Sequence, residues 1–391
     1  MKPFSKAIRT FHVWTGLTIG GLFCLMSLSG SVLVLRPAIE GLLMPAWTAK
    51  SEARPSDVLT EAAKNIAIRW PDARIESVSL PARSDALIGF VVRTHDEDEL
   101  HVFVDARSGE VLGTFALPWL DWLTDLHHHV QLESVGGVKG VGKKIVGAIG
   151  IFLFLSSLAG LLLWAPRPTR WSRFFGLRCG MARQFNKFDL HRVVGVLGSA
   201  ALLFISATGI TIAFPQTVSS LLGTPPEAAR PRLPISERRA PAGGVLPAAV
   251  QPGMEQYLSA ARNAVPDGTV IQLRIPPNAD RPVTVRLRLP GDIRQEGSAR
   301  VSLDAETARV LAVDKPADWP LAKQIVQAAT PLHYAEWGGM PLRVLWSFIG
   351  LIPPVLFVSG LLIWWEPIRA RRSTARAAAA RELEREEDLV A

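Results

Sequence analysis

Four stretches of this chain, Val13 to Leu35, Ile145 to Ala165, Val193 to Phe214 and Val344 to Trp365, are strongly apolar and contain no charged residue. Each is about 20 residues long, which at about 1.5 Å per helical residue crosses the roughly 30 Å hydrocarbon layer of a bilayer. The sequence has 391 residues, 48% of them hydrophobic, and this segregation excludes a water-soluble cytoplasmic enzyme. The two cysteines fall in the first stretch (Cys24) and in a basic loop (Cys179), which excludes a disulfide-stapled secreted domain. The first stretch is too long for a signal-peptide core and runs into Arg36-Pro37 without a small-residue cleavage site, so a retained anchor is expected.

Basic residues orient the spans. Lys2, Lys6 and Arg9 precede the first, and Arg167, Arg170, Arg173, Arg178, Arg183 and Lys187 crowd the connection between the second and third, against the single acid Asp189. The positive-inside rule places both segments, and with them both termini, in the cytoplasm. The long connections, residues 38–143 and 216–342, then lie on the other side, the periplasm of a bacterial inner membrane. A net charge of +8 is accounted for by anchoring to anionic headgroups, and no nucleic-acid partner is expected.

The chain also repeats itself, span, outer segment, span, twice in one orientation. His12, Gly16, Ser27 and Gly30 match His191, Gly195, Ser206 and Gly209 at one offset. Pro71, Asp72, Pro81, Asp85 and Arg93 match Pro266, Asp267, Pro276, Asp280 and Arg288 without a gap. Val104-Asp105 then aligns with Leu303-Asp304, Leu126-His127 with Leu332-His333, and Gly160 and Trp164 with Gly360 and Trp364. Each outer segment reads as a helix followed by strands. Ser56 to Arg69, with Ser56 as N-cap, and Met254 to Ala264 have helical spacing, while 75–80, 86–93, 100–105 and 110–115, then 271–275, 283–289 and 300–303, alternate as strands do. Residues 224–251, rich in Pro, Ala and Arg, read as a linker.

The helix, the strands and the Asp-x-x-(Ser/Thr)-Gly-like turn resemble PepSY modules. The order span, module, Leu-His, span is similar to the PepSY-associated transmembrane family over about residues 8 to 368. The second copy departs from the pattern, with Thr307-Ala308 in place of Ser108-Gly109. The expected fold is thus a polytopic α-helical membrane protein, four transmembrane helices in two tandem repeats carrying two periplasmic α+β PepSY-like modules. In chain order this gives an N-terminus and first span (1–37), module 1 (38–125), an outer histidine segment and second span (126–166) and a basic loop (167–190). The third span (191–215), linker (216–253), module 2 (254–330), second outer histidine segment with fourth span (331–367) and tail (368–391) follow.

The resemblance extends to inner-membrane ferric-siderophore reductases of the ferrioxamine type, which bind haem, and it gives the histidines a role. Six of the eight stand at membrane boundaries: His12 and His191 at the cytoplasmic ends of spans one and three, His127, His128, His129 and His333 before spans two and four. Two axial ligands of one haem must share a depth, so His12 pairs with His191 and one of His127 to His129 with His333, whereas pairing His12 with His127 is forbidden by the bilayer thickness. His127 is preferred because it aligns with His333, with His128 and His129 as alternates. Gly16 and Gly195, four residues beyond His12 and His191, leave room on the same helix face. Trp122 and Trp337 are candidate walls of an outer substrate pocket. His95 and His101 flank the acidic run 96–99, read as a solvated hairpin tip rather than a metal site.

The resemblance implies an oxidoreductase with two b-type haems per chain, passing electrons from a quinol or cytoplasmic reductase to a periplasmic ferric siderophore, expected to be of the hydroxamate type, and releasing Fe(II). No G-x-G-x-x-G joins a strand to a helix, so nucleotide chemistry would come from a partner. Two alternatives stand beside it: a haem electron-transfer subunit serving another redox protein, and a haem-free membrane regulator of a peptidase, since PepSY modules resemble inhibitory propeptides.

Overall fold

The computed structural model describes residues 3–45, 47, 58–80, 87–96, 98–132, 140–164, 187–223, 253–277 and 281–367. The Ser56 cap, Pro81, Asp85, Asp280, Cys179, most of the basic loop, the linker and the tail lie outside them. The chain divides into two compact units, one of Met1–Arg36, Trp122–Phe214 and Met340–Ala391, the other of Pro37–Asp121 and Pro215–Gly339.

The first unit is helical. Its spans belong to the helices Pro3–Leu33, Val141–Trp164, Lys187–Ala213 and Glu336–Pro367, all long and apolar enough to cross a membrane. Lipid offers no hydrophobic drive for helices to associate, so close approach depends on small residues. Accordingly, a Cβ at Gly20 would run into Phe357, one at Gly147 into Phe214 and Ala213, and one at Gly198 would come 2.8 Å from Ile352. Between the first two spans Phe23, Met26 and Ile149 form a small buried cluster. The fourth span is interrupted by a turn at Gly350 and Leu351, directly before Pro353-Pro354. Two successive residues without an N–H cannot continue the helical ladder, so the second half restarts at 352.

The second unit is built on one antiparallel sheet. Its strands are β1 Arg74–Ser79, β2 Leu87–Arg93, β3 Glu99–Asp105, β4 Val111–Thr114, β5 Thr269–Arg274, β6 Val283–Arg288, β7 Ala299–Leu303 and β8 Val310–Asp314. Their spatial order is β4-β3-β2-β1-β5-β6-β7-β8. Alternate residues point to one face, where Val78, Phe90, Val102, Leu273, Val285 and Val301 pack with Ile66 and Leu258 of the helices Val58–Arg69 and Met254–Ala264. The sequence reading kept the two outer segments apart as separate modules; the structure joins them edge to edge, with Ser77 opposite Arg274, Val78 opposite Leu273 and Ser79 opposite Gln272. The joint pairs two strand edges that would otherwise leave backbone donors and acceptors open. Alternation gives each strand its buried face but not the neighbour its edge will meet. The strand β8 was not among those read from the alternation. His95 sits in the β2–β3 turn, which Thr94 N closes by donating to Asp98 O at 3.0 Å.

Candidate functional site

His12 lies well inside the helix Pro3–Leu33, just before its apolar run, and His191 near the start of the helix Lys187–Ala213. The bundle brings their rings to a centroid separation of 6.2 Å, with planes 77° apart. Each ring is held from outside its own helix. His12 Nδ1 is 2.9 Å from the backbone oxygen of Ser156 on the second span. One turn further, a Cβ at Gly160 would lie 3.0 Å from His12 Cε1. His191 is held in the same manner on the fourth span: its Nδ1 is 3.0 Å from Ser359 Oγ, it bonds the backbone of Leu356, and a Cβ at Gly360 would lie 3.2 Å from its Cε1. Leu356 precedes Gly360 by one turn, as Ser156 precedes Gly160.

These contacts fix the tautomers. A carbonyl oxygen only accepts, so His12 Nδ1 carries the proton and Nε2 the lone pair. Ser359 Oγ donates its one proton to Val355 O at 2.6 Å, so it accepts from His191 Nδ1–H, with the same result. In their neutral form the two rings therefore present Nε2 as the donor nitrogen. Two imidazoles on opposite sides of one metal ion, each bound at about 2 Å, have ring centres about 6 Å apart, which matches the pair. Among the described residues no group of three or more His, Cys, Asp or Glu is disposed to hold a metal ion by itself, and a haem requires only two protein donors. Nothing lies within 4 Å of a Cβ built at Gly16; a Cβ at Gly195 would contact Leu356 at 3.5 Å, so that glycine faces the fourth span.

The other candidate residues are distributed between the units. His127, His128 and His129 end the helix Pro118–His129. His127 Nδ1 is 2.9 Å from Ser29 Oγ of the first span, and a Cβ at Gly30 would lie 2.9 Å from its Cε1. Ser29 directs its hydroxyl proton to the carbonyls of Leu25 and Met26 at 2.8 and 2.9 Å, so it accepts from His127 Nδ1–H and leaves Nε2 as the donor nitrogen. His129 Nδ1 meets Asp125 Oδ1 at 2.9 Å. Burial lowers the His128 pKa, as do His129, Lys143 and Arg36, against Asp125. His333 closes the helix Leu321–His333 in the second unit. Trp122 and Trp337 are 56% and 52% exposed.

The order of these elements decides the family. The profile of the PepSY-associated TM region matches residues 9–366. The chain belongs to that family. It is a membrane protein, and the matched region takes in all four spans and the whole sheet. No curated protein matches the chain. In this PepSY-associated chain the ring-holding residues Ser156, Ser359 and Ser29 were not read from the sequence. Their glycine neighbours carried a signal, since Gly160, Gly360 and Gly30 all mark the internal alignment. A serine carbonyl one turn from such a glycine has no side-chain signature of its own.

Proposed function

We propose that the chain is a di-haem b-type inner-membrane reductase that moves electrons outward to a periplasmic ferric siderophore. The observation that carries this reading is the His12–His191 pair: two imidazoles at 6.2 Å, from different spans, with both Nδ1 protons already engaged. His12 and His191 would hold an inner haem. The outer pair, His127 with His333, rests on the internal repeat of the sequence, and the Ser29 contact at His127 supports it from the first span. When bound, the haems supply one-electron transfer.

The protein's own residues do the remaining work. Ser156 and Ser359 fix the imidazole tautomers and ring rotations, so ligation needs no rearrangement of the donors. Gly160 and Gly360 let spans two and four close on the rings. The tandem-repeat reading explains why each span pair supplies one ligand and the backing for it: spans one and two for His12, spans three and four for His191. In this reading electrons enter from a quinol or a cytoplasmic reductase, and the positive-inside distribution of basic residues argues for both termini in the cytoplasm and the sheet in the periplasm. Reduction favours release because hard hydroxamate oxygens hold Fe(II) far less well than Fe(III).

The test mixes dithionite-reduced, desalted full-length protein with a ferric hydroxamate and an Fe(II)-trapping dye. Reoxidation of the haem bands in step with Fe(II) appearance is expected. Bands that stay reduced in the presence of the chelate, yet reoxidise with a small redox protein, would overturn the reductase in favour of the electron-transfer subunit.

A further inference from the structure

Away from the histidines, the sheet face opposite the helices Val58–Arg69 and Met254–Ala264 carries an unusual row. Register places Gln272, Arg286, Arg300 and Asp314 side by side across β5 to β8. Arg274 stands two residues along β5 and Arg288 two along β6, on the same face. From the β6–β7 loop Arg294 joins them, its Nη1 3.2 Å from Gln327 Oε1. Arg286 and Arg300 are direct cross-strand partners, an arrangement that costs stability when the charges are alike.

Little in the chain neutralises this row. Glu296 pairs with Arg286 at 2.7 Å, and its carboxylate side chain is largely exposed. Asp314, the register partner of Arg300, is instead engaged by Lys323 Nζ at 2.6 Å and Trp319 Nε1 at 2.5 Å. Among the described residues the side chains of Arg274, Arg288 and Arg300 make no hydrogen bond or ion pair. Arg300 is exposed along the sheet face, yet its surroundings desolvate the guanidinium and Arg286, Arg294 and Arg274 repel it, against the attraction of Asp314, so its pKa lies below the ordinary arginine value.

The same strand pairing forms elsewhere in the sheet without the row. By the internal alignment the positions of Arg274, Arg286 and Arg300 correspond to Ser79, Val91 and His101, and Val91 faces His101 in the same register as Arg286 faces Arg300. The first half of the sheet is therefore built on the same strands without the charges.

We propose that the arginine-bearing face of β5 to β7 binds a multivalent carboxylate anion through Arg274, Arg286 and Arg300, with Arg294 at its rim. Neighbouring guanidinium groups arise from Cβ positions about 5 Å apart across strands and about 7–8 Å apart diagonally. That spacing suits several acidic groups on one small molecule, each taken by a planar guanidinium fork, better than a single compact phosphate. The anion is a free polycarboxylate or a metal chelate with carboxylate arms. The site stands independently of the haem reading.

The experiment measures binding of citrate, gallium(III) citrate and inorganic phosphate to the full-length protein by calorimetry, with Trp319 fluorescence as a second signal. Citrate or its gallium chelate is expected to bind more tightly than phosphate, the tighter of the two naming the source. R286Q/R300Q should weaken binding about tenfold or more, and His12→Ala should leave it unchanged. Because removal of a like-charge pair relieves repulsion, R300Q should unfold at the same temperature as the parent or a higher one. Absence of citrate and gallium citrate binding, equal or tighter phosphate binding, or an unweakened double variant would overturn the proposal; a lower unfolding temperature for R300Q would show the row to be structural.

Discussion

At the residue scale the account rests on where protons and methyl groups are allowed. His12 Nδ1 donates to a carbonyl, so Nε2 is available as a ligand, and Gly160 leaves no room for a larger side chain beside that ring. Gly160→Val should displace the His12 ring and lower the haem-to-protein ratio while helix content holds; Gly16→Ala, whose Cβ meets nothing within 4 Å, should leave helix content and unfolding temperature unchanged. Both are read by pyridine haemochrome assay and circular dichroism. In the sheet unit Gly109 has φ +75° and a Cβ there would sit 3.0 Å from Ala62 N, so Gly109→Ala should cost about 1–3 kcal/mol by thermal or denaturant unfolding. Ala308 occupies the matching turn at φ 55° and carries that strain in the second half. Glu76 is held below the usual carboxyl range, first by the hydrogen bond from Arg93 and also by Arg74. A lowered folded-state pKa gives stability above the unfolded value of about 4.3 that is lost as pH falls through the folded one. The stability advantage of the parent over Glu76→Gln should therefore be full at neutral pH and shrink as the pH is taken below about 4.

At the scale of elements, apolar length and alternation made most of the fold legible. Charge-free runs of about 20 residues located the spans because a bilayer imposes that length, though the helix Pro3–Leu33 begins ten residues before the apolar run at Val13. A polar helix turn outside the hydrocarbon leaves no mark in hydropathy. The break in the fourth span at Gly350 and Leu351 does have a mark in the sequence, the pair Pro353-Pro354 directly after it. What alternation leaves undetermined is sheet continuity, since the pleat of β1 specifies Val78 as buried but not Leu273 as its neighbour. Both are fully buried at that joint. Leu273→Ala should therefore destabilise the sheet unit by about 2–5 kcal/mol, measured by denaturant unfolding, with the unfolding of both halves lowered together because they share one core.

On the scale of the whole molecule, the internal repeat was the most informative signal for the site. It paired His12 with His191 before any geometry, and the bundle brings those two rings together. The backing residues were illegible because they act through a backbone oxygen and a hydroxyl whose partners depend on helix packing, which a single sequence does not encode locally. The central claim is that His12 and His191 are two ligands of one haem. It is tested most directly by reduced-minus-oxidised spectra and haem quantification on purified parent, His12→Ala and His191→Ala proteins. The account predicts low-spin b-type bands in the parent and the loss of the same one of two haems in either variant, with the other retained. A parent purified from haem-replete cells without haem, or variants that keep the full spectrum and stoichiometry, would contradict it.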